Sequence, residues 1–324
     1  MRLPVLALLL VCACSRATPD PDVEMAPPAS GFQLGTEAFD VPAASEVQRC
    51  YFFAVPAAPD GGSADPVWIG EVIAAINPGS HHMNVFRVKT IVNLDGDPGT
   101  MIDGGECWVS SNWADWPLVM NSQQSIPGQN VVDWTLPGGV AQKFIPGEKL
   151  MLQTHYVNAT TQQTPGRGKV LVNFVAEPGN SSLQELGTVF ATDQNIKICP
   201  GDTDKSFSAT CRFATQPVTI IAANGHFHSR GVEFDMSTVD ANNNVVAPFY
   251  KSTQWADPLF IRDLTVPVPV NGGVGYTCIY TLAADACCDP TNGCCCTFGG
   301  HVETQEHCNA FVYYYPKLAD TTCF

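Results

Sequence analysis

The sequence has little charge, and most of what it has is negative. Charged residues make up 15% of 324 residues, with 16 Lys and Arg against 31 Asp and Glu. The formal net charge of -15 repels nucleic acid and anionic headgroups, and no basic patch counters that repulsion. We therefore expect no nucleic-acid partner. The hydrophobic content of 45% still supplies enough apolar side chains for two domain cores in a chain of this length.

Long apolar runs are also scarce. The pronounced one, Leu3–Val11, is too short to span a bilayer and predicts a secretory signal over residues 1–14. The signal ends in a bacterial lipobox-like sequence that makes Cys14 the predicted lipidation site, whereas cleavage near Ala17 is the alternative. Residues 15–31 predict a flexible tether. We expect an exported protein, lipid-anchored at a bacterial outer membrane or in the periplasm, or otherwise secreted, with membrane contact through the lipid alone.

Sustained helical periodicity is missing as well. Segments such as 232–238 alternate apolar and polar residues, which is typical of half-buried antiparallel strands. Clusters of Gly, Pro, Asn and Asp separate these segments, and the polar stretch 177–182 lies near the middle of the chain. We predict an all-β protein of two tandem antiparallel β-sandwich (jelly-roll) domains, over residues 32–177 and 183–324.

Cysteine, by contrast, is plentiful. Fourteen cysteines in an exported chain predict disulfides. Beyond the signal, the first half holds Cys50 and Cys107, which form the natural bridge of that half. Five more cysteines crowd one short stretch, which is either a disulfide-knotted loop or a thiolate site for a soft metal such as Cu(I). They are Cys287, Cys288, Cys294, Cys295 and Cys296.

Histidine is scarce but grouped. Six of the seven histidines fall into four clusters, with three in each predicted domain. Neutral imidazoles in an exported protein are suitable ligands for copper or zinc, so the grouping predicts metal binding. The clusters are His81-His82, His155, His226/His228 and His307.

Strand geometry sharpens this prediction. His226 and His228 are two residues apart, so they share one strand face and can chelate one ion. His81 and His82 are adjacent and would point to opposite faces of a regular strand. Both can bind one ion only at a strand end or a β-bulge.

Two further strands place polar and aromatic side chains beside histidines. Gln153 is two residues before His155, so the two side chains share one face of their strand. On a later strand that begins at His307, Cys308 points to the face opposite that of His307. We predict that the face of His307 forms the wall of an active site. Its other members include Asn309, Phe311 and Tyr313.

Four motifs occur in the order found in the peptidylglycine α-hydroxylating and dopamine β-monooxygenase family of copper type II, ascorbate-dependent monooxygenases. The chain resembles this family over nearly all of its mature length. The resemblance implies two jelly-roll domains, with one copper in each, facing across a solvent-filled cleft. The motifs are His81-His82-Met83, Leu152-Gln153-Thr154-His155-Tyr156, Gly225-His226-Phe227-His228 and Glu306-His307-Cys308-Asn309.

The resemblance also implies roles for single residues. It assigns an electron-transfer copper to His81, His82 and His155. It assigns the catalytic, O2-binding copper to His226, His228 and His307. It further implies a Cys278–Cys308 disulfide, two copper ions as cofactors, ascorbate as the reductant, and O2 and a small molecule as substrates.

The sequence departs from the family at specific positions. His307 replaces a methionine, so a harder imidazole stands where the family has a soft thioether. His301 is a spare ligand candidate, or else a loop histidine. Asn224 and Phe311 replace residues that bind the carboxylate of a peptide substrate, which favours a less charged substrate. The main alternative function is a non-catalytic exported copper-binding or copper-delivering protein, and a third is an adhesive β-sandwich with incidental histidines.

Overall fold

The computed structural model describes residues 21–57, 65–108, 115–123, 131–159, 165–177 and 182–324. The predicted signal and Cys14 lie outside the described residues, as does the first part of the tether. Across the described part of the chain, no helix is long and apolar enough to cross a membrane.

Strands make up most of the described residues, and helix within them is limited to the 3-10 turns Gly105–Cys107 and Pro290–Asn292. The predicted all-β fold is confirmed, while the jelly-roll topology and the domain bounds stay predictions. The strands up to residue 177, here called the first half, are β1 (Gly31–Gly35), β2 (Phe39–Val41), β3 (Ser45–Ala54), β4 (Val67–Ile76), β5 (Ser80–Arg87), β6 (Met101–Asp103), β7 (Leu118–Ser122), β8 (Val131–Thr135), β9 (Val140–Phe144), β10 (Lys149–Asn158), β11 (Gly166–Gly168) and β12 (Val170–Ala176).

The strands from residue 182 onward belong to the second half. They are β13 (Gln184–Glu185), β14 (Gly187–Thr192), β15 (Lys197–Ile198), β16 (Lys205–Ala214), β17 (Val218–Phe227), β18 (Gly231–Val239), β19 (Val245–Ser252), β20 (Phe260–Ile261), β21 (Val266–Val268), β22 (Gly272–Tyr280), β23 (Cys296–Phe298), β24 (Gln305–Glu306), β25 (Cys308–Tyr315) and β26 (Thr321–Cys323).

Two sheets enclose the core of the first half. One has the order β1-β12-β4-β9-β13, with β8 paired to β4, and the other has the order β6-β3-β10-β5-β7. Their inward side chains form one hydrophobic cluster, with Phe32, Val72 and Phe174 from the first sheet and Val85 and Leu152 from the second. Burial of these apolar side chains is the main favourable contribution to the stability of this sandwich.

The second half repeats this arrangement with its own core. A sheet of order β20-β17-β25-β14-β26, with β21 on β17, packs against a sheet of order β16-β22-β18-β19. Ile220 and Val312 of the first sheet meet Phe234 and Tyr276 of the second in one cluster. A small β15-β23-β24 sheet lies beside them. Strand β13 pairs in parallel with β9, so it extends a sheet of the first half.

A third hydrophobic cluster joins the two halves. It contains Trp116 and Met151 of the first half together with Phe190 and Phe311 of the second. Strand β25 shows how this arises: Phe311 enters the joint cluster while its neighbour Val312 enters the core of the second half. Successive strand side chains point to opposite faces, so the outer faces of β10 and β25 lie against each other. The predicted metal ligands lie on, or next to the ends of, strands of the two sheets that contain β10 and β25.

Disulfides reinforce both halves. The predicted bridges Cys50–Cys107 and Cys278–Cys308 are both present. Every cysteine from Cys50 onward is paired, and the crowded cysteine loop is tied by disulfides, so it offers no free thiolate for a soft metal. The remaining bridges are Cys199–Cys295, Cys211–Cys323, Cys287–Cys294 and Cys288–Cys296.

Candidate metal centre

A β-bulge brings the two adjacent histidines of β5 together. In the pairing of β5 with β10, His82 lies opposite His155 and Ser80 lies opposite Tyr156, so His81 is the extra residue. A bulge re-aims the side chain of the inserted residue. Both imidazoles therefore enter the same cluster, with ring centroids 5.3 Å apart.

His155 completes the first-half group on β10. Its ring lies 5.1 Å from that of His82 and 5.0 Å from that of His81, centroid to centroid. Its Nε2 lies 3.0 Å from Oε2 of Glu46, and this carboxylate also accepts the backbone N–H of Val302 at 3.2 Å. Glu46 therefore fixes the orientation of His155 and holds a loop of the second half.

Glu46 could not be identified as a functional residue from the sequence, because a single glutamate on a strand carries no motif. Burial raises the pKa of Glu46, but its bonds to His155 and Val302 outweigh burial and bring the pKa below the ordinary value. The group is thus ionised at neutral pH. A carboxylate that accepts from a histidine fixes the tautomer and makes the other ring nitrogen a better metal ligand.

The second-half histidines meet where β17 and β25 end. His226 lies opposite Asn309 in the strand pair, and its Nε2 is 3.1 Å from Nδ1 of His307. His228 follows β17, and its ring centroid is 4.4 Å from that of His307. The Nδ1 of His228 is 2.9 Å from the backbone oxygen of Gln305, which leaves Nε2 free for another partner. These three histidines, which the family resemblance assigns to one copper, therefore lie together.

A buried glutamate holds this turn in place. Glu306 is fully buried and accepts the backbone N–H groups of His228 at 3.0 Å and Arg230 at 2.8 Å. Burial raises the pKa of Glu306 to about 8, although the two backbone bonds act in the opposite direction. No role for Glu306 was predicted from the sequence. Its position next to His307 was the available signal.

The two groups of histidines are in contact. The ring centroids of His81 and His226 are 4.7 Å apart, those of His81 and His228 are 5.0 Å apart, and those of His82 and His226 are 5.3 Å apart. The resemblance implies two copper sites that face each other across a cleft, whereas here the rings of the two groups lie in contact. We call the full set the histidine cluster: His81, His82, His155, His226, His228 and His307.

Two groups of three histidines place their ligand atoms within 4.8 Å of one another. One is His226, His228 and His307, as predicted for the catalytic copper. The other is His81, His82 and His226, whereas the resemblance groups His81 and His82 with His155. In this arrangement His226 belongs to both groups.

Buried nitrogen atoms without partners show that the cluster fits a metal. The unpaired atoms are Nε2 of His81, Nδ1 of His155, Nδ1 of His226 and Nε2 of His228. A buried polar atom that lacks a hydrogen bond costs about 1–3 kcal/mol, and a coordinated ion would remove that cost.

The electrostatics of the cluster favour neutral imidazoles. Burial lowers the pKa of every histidine in the cluster, and neighbouring histidines lower it further for most of them. Burial lowers the pKa of His228 to about 3. For His155, the bond to Glu46 opposes the effect of burial. Neutral imidazole is the form that binds metal, and six nitrogen donors suit copper or zinc.

A cavity of about 400 Å³ adjoins the histidine cluster. His82, His226 and His307 form part of its wall. Three of the predicted substrate-facing residues, Gln153, Asn309 and Phe311, line it as well.

Tyr313, the fourth residue predicted beside the metal ligands or the substrate, is not part of the wall of this cavity. Its ring packs against Trp134 at 4.8 Å between centroids, and its hydroxyl accepts the backbone N–H of Asn121 at 2.9 Å. The side-chain amide of Asn121 donates to Asn84, which in turn donates to Gln153 at 3.0 Å. Tyr313 therefore supports the contact between the halves.

Two other positions named by the sequence lie outside the cluster. The side chain of His301 is 54% exposed, and its ring stacks on Trp108 at 4.4 Å, so it is the loop histidine of the two interpretations. Asn224 is buried two residues before His226, and both polar atoms of its amide lack a partner. It supplies no positive charge at the position where peptide-amidating members have arginine.

Residues 180–324 match the family model of the copper type II ascorbate-dependent monooxygenase C-terminal domain. The match includes His226, His228 and His307. The match begins at residue 180, so it does not include the first-half histidines. For those histidines the resemblance rests on the motifs alone. The second-half histidines thus lie in a segment that is similar to a domain of a copper-dependent family.

No curated protein matches the chain. Among solved structures, a secreted protein from Eubacterium rectale is 11% identical, with 82% of this chain and 68% of that chain covered and a TM-score of 0.23. The PBSX exported protein XepA is 9% identical, with 90% and 89% covered and a TM-score of 0.22. Neither similarity bears on function.

Proposed function

We propose that the chain is a copper-dependent monooxygenase that hydroxylates a C–H bond of a small molecule with O2 and a reductant such as ascorbate. The observation that carries this proposal is the placement of His226, His228 and His307 together, within the segment that matches the monooxygenase family. We propose two copper ions, bound by the six side chains of the histidine cluster. Copper, when bound, would supply the one-electron chemistry and O2 activation that no amino-acid side chain provides.

The residues of the chain prepare the cluster for this role. Burial keeps the imidazoles unprotonated, so they bind a metal at neutral pH without first losing protons. Glu46 orients His155, and Glu306 orients the turn that carries His228. The joint hydrophobic cluster shields the contact between the halves from water. The adjoining cavity gives an organic substrate access to His226 and His307.

The test combines metal stoichiometry with turnover. The purified protein, loaded with copper and freed of excess metal, should contain two copper ions per chain and should consume O2 with ascorbate. A product that carries one oxygen atom from labelled O2 should accumulate with an accepted substrate. Two bound coppers without O2 consumption under any reductant would remove the proposal.

The all-nitrogen donor set favours a second candidate function. With His307 in place of a thioether, the chain would bind copper tightly in an exported copper-binding or copper-delivering protein without catalysis. Transfer of copper to an acceptor chelator or apoprotein, together with the absence of O2 consumption, would favour this candidate over the first.

We also propose that the protein is exported and anchored through Cys14. The pairing of every cysteine from Cys50 onward supports export, because such bonds persist in oxidising compartments. The protein would be produced in a bacterial host that has a lipoprotein pathway, and its mature N-terminus would be analysed by mass spectrometry. A lipid-modified Cys14 would support the anchor, and an unmodified N-terminus would contradict it.

A further inference from the structure

The wall of the cavity beside the histidine cluster carries no charged side chain among the described residues that form it. Six carboxamides line it instead, alongside aromatic rings and three histidines. Carboxamides both donate and accept hydrogen bonds, so they recognise uncharged polar groups. The six are Gln48, Asn84, Gln153, Gln194, Gln305 and Asn309.

Four phenyl rings form one side of the cavity, here called the phenyl wall: Phe86, Phe190, Phe311 and Phe324. Phe190 lies opposite Phe311 in the pairing of β14 with β25, and their rings stack at 5.2 Å with an interplanar angle of 11°. Phe324 meets Phe190 edge-on at 5.8 Å, and Phe86 meets it tilted at 6.2 Å. Such a wall favours a flat apolar group, which gains both burial and ring-to-ring contact.

A polar pair follows the phenyl wall on the same two strands. Thr192 and Asn309 lie opposite each other, two residues from Phe190 and Phe311 respectively, so they share the same face. Both line the cavity, and their side-chain oxygens, Oγ1 of Thr192 and Oδ1 of Asn309, lack a hydrogen-bond partner. Asn309 is 6% exposed and Thr192 is 2% exposed. Unpaired polar groups buried this deeply point to a ligand that would satisfy them.

We infer that the cavity binds a neutral aromatic molecule of about one ring that carries a hydroxyl or amide group. The ring would lie on the phenyl wall, and the polar group would pair with Thr192 and Asn309. A charged group would meet no charged side chain on this wall and would lose hydration, which opposes the binding of acids and amines. The volume of about 400 Å³ lies at the lower end of the range for small-molecule sites.

This inference rests on the proposed function in one respect. His226 and His307 line the same cavity, so the bound molecule would present its C–H bonds to the proposed catalytic copper. The preference of the cavity for one ligand over another depends on the side chains of the wall. This preference can therefore be measured in copper-free protein, where no metal ion attracts an anion or repels a cation.

Three probes of nearly equal size separate the effect of charge from that of shape: 2-phenylethanol, phenylacetate and 2-phenylethylamine. Ligand-detected NMR titrations of the copper-free protein at pH 7.5 should show the alcohol binding at least about tenfold more tightly than either ion. Equal or tighter binding of phenylacetate or of the protonated amine would overturn the inference.

Substitutions in the cavity test the placement of the ligand. Asn309→Asp should weaken the alcohol and strengthen the amine by about tenfold each, because it introduces a counter-charge. Phe190→Ala should weaken the alcohol by about tenfold. Phe324→Ala, at a residue that is 54% exposed, gives a milder test if Phe190→Ala does not fold. Thr210→Val, on the exposed side of β16, is the control and should change nothing.

Copper-loaded protein separates this inference from the proposed function. Selective binding of 2-phenylethanol without O2 consumption would leave the ligand assignment standing and remove the monooxygenase. Oxygenation of charged substrates, with no binding of the alcohol, would retain the monooxygenase and overturn the ligand assignment.

Discussion

Glu46 links the geometry of His155 to copper affinity, and its removal gives the sharpest prediction. The change Glu46→Gln keeps the size of the side chain and an oxygen that can accept from His155 Nε2, but it removes the negative charge. A hydrogen bond to a charged partner contributes about 1.5–3 kcal/mol, against about 0.5–1.5 kcal/mol for a neutral one. The loss of about 1–1.5 kcal/mol predicts copper binding weaker by about tenfold, within the range found for outer partners of metal-bound histidines.

The assay is a titration of copper against a competing chelator, with circular dichroism to show that the variant is folded. Electron paramagnetic resonance of Cu(II) should show a changed signal for one copper, because Glu46 contacts one histidine of the cluster. Glu37→Gln is the matched control, since it removes the same charge from an exposed side chain. Copper affinity equal to that of the unchanged protein in Glu46→Gln would refute a positioning role for this carboxylate.

Three further predictions follow from the donor set, the cysteine loop and the buried imidazoles. His307→Met should raise the Cu(II)/Cu(I) reduction potential of one copper, by about 59 mV for each tenfold by which the thioether favours Cu(I), and an unchanged potential in a redox titration would contradict this. The pair Cys287→Ser and Cys294→Ser, which removes one bridge of the loop, should leave the copper content unchanged by mass spectrometry, whereas loss of copper would show that the loop binds metal. The cluster histidines have folded pKa values below their unfolded value of about 6.5, so the copper-free protein should lose up to about 1.4 kcal/mol of stability per histidine for each pH unit below about 6.5. For His228 this loss continues down to about pH 3. Urea melts at pH 7.5 and 5.5 measure the effect, and equal stability at both would refute it.

The sequence predicted the all-β fold because alternation of apolar and polar residues is a local signal. It also predicted the side chains that share the face of His307, since the period of a strand is fixed. For His81 and His82 it stated the required irregularity, and the structure supplies it as a bulge between β5 and β10. The Cys50–Cys107 bridge followed from the scarcity of cysteine in the first half.

The contact between the two histidine groups could not be predicted in this way. It depends on how two sandwiches pack, and residues such as Trp116 and Phe190 that form the joint cluster have the same apolar character as core residues. Glu46 was invisible for a related reason: its partner His155 is 109 positions away in the chain, and its other partner Val302 lies in the opposite half. Tyr313 was placed on the same face as Asn309 and Phe311 because side chains two residues apart on a strand point in the same direction. That periodicity does not show how far along the strand the cavity extends.

The joint packing has a consequence for how the cluster works. Glu46 and Val302 hold the halves together at the edge of the cluster, and Asn121 and Tyr313 hold them at another point. Any separation of the halves would break both bonds and pull His81 away from His226. The residues that would hold a metal and the contact between the halves are therefore coupled. A metal held by His81, His82 and His226 would stabilise this contact between the halves by its binding free energy. Copper binding should accordingly raise the melting temperature of the whole chain. This rise should exceed the rise that copper causes in the melting temperature of either half measured by itself.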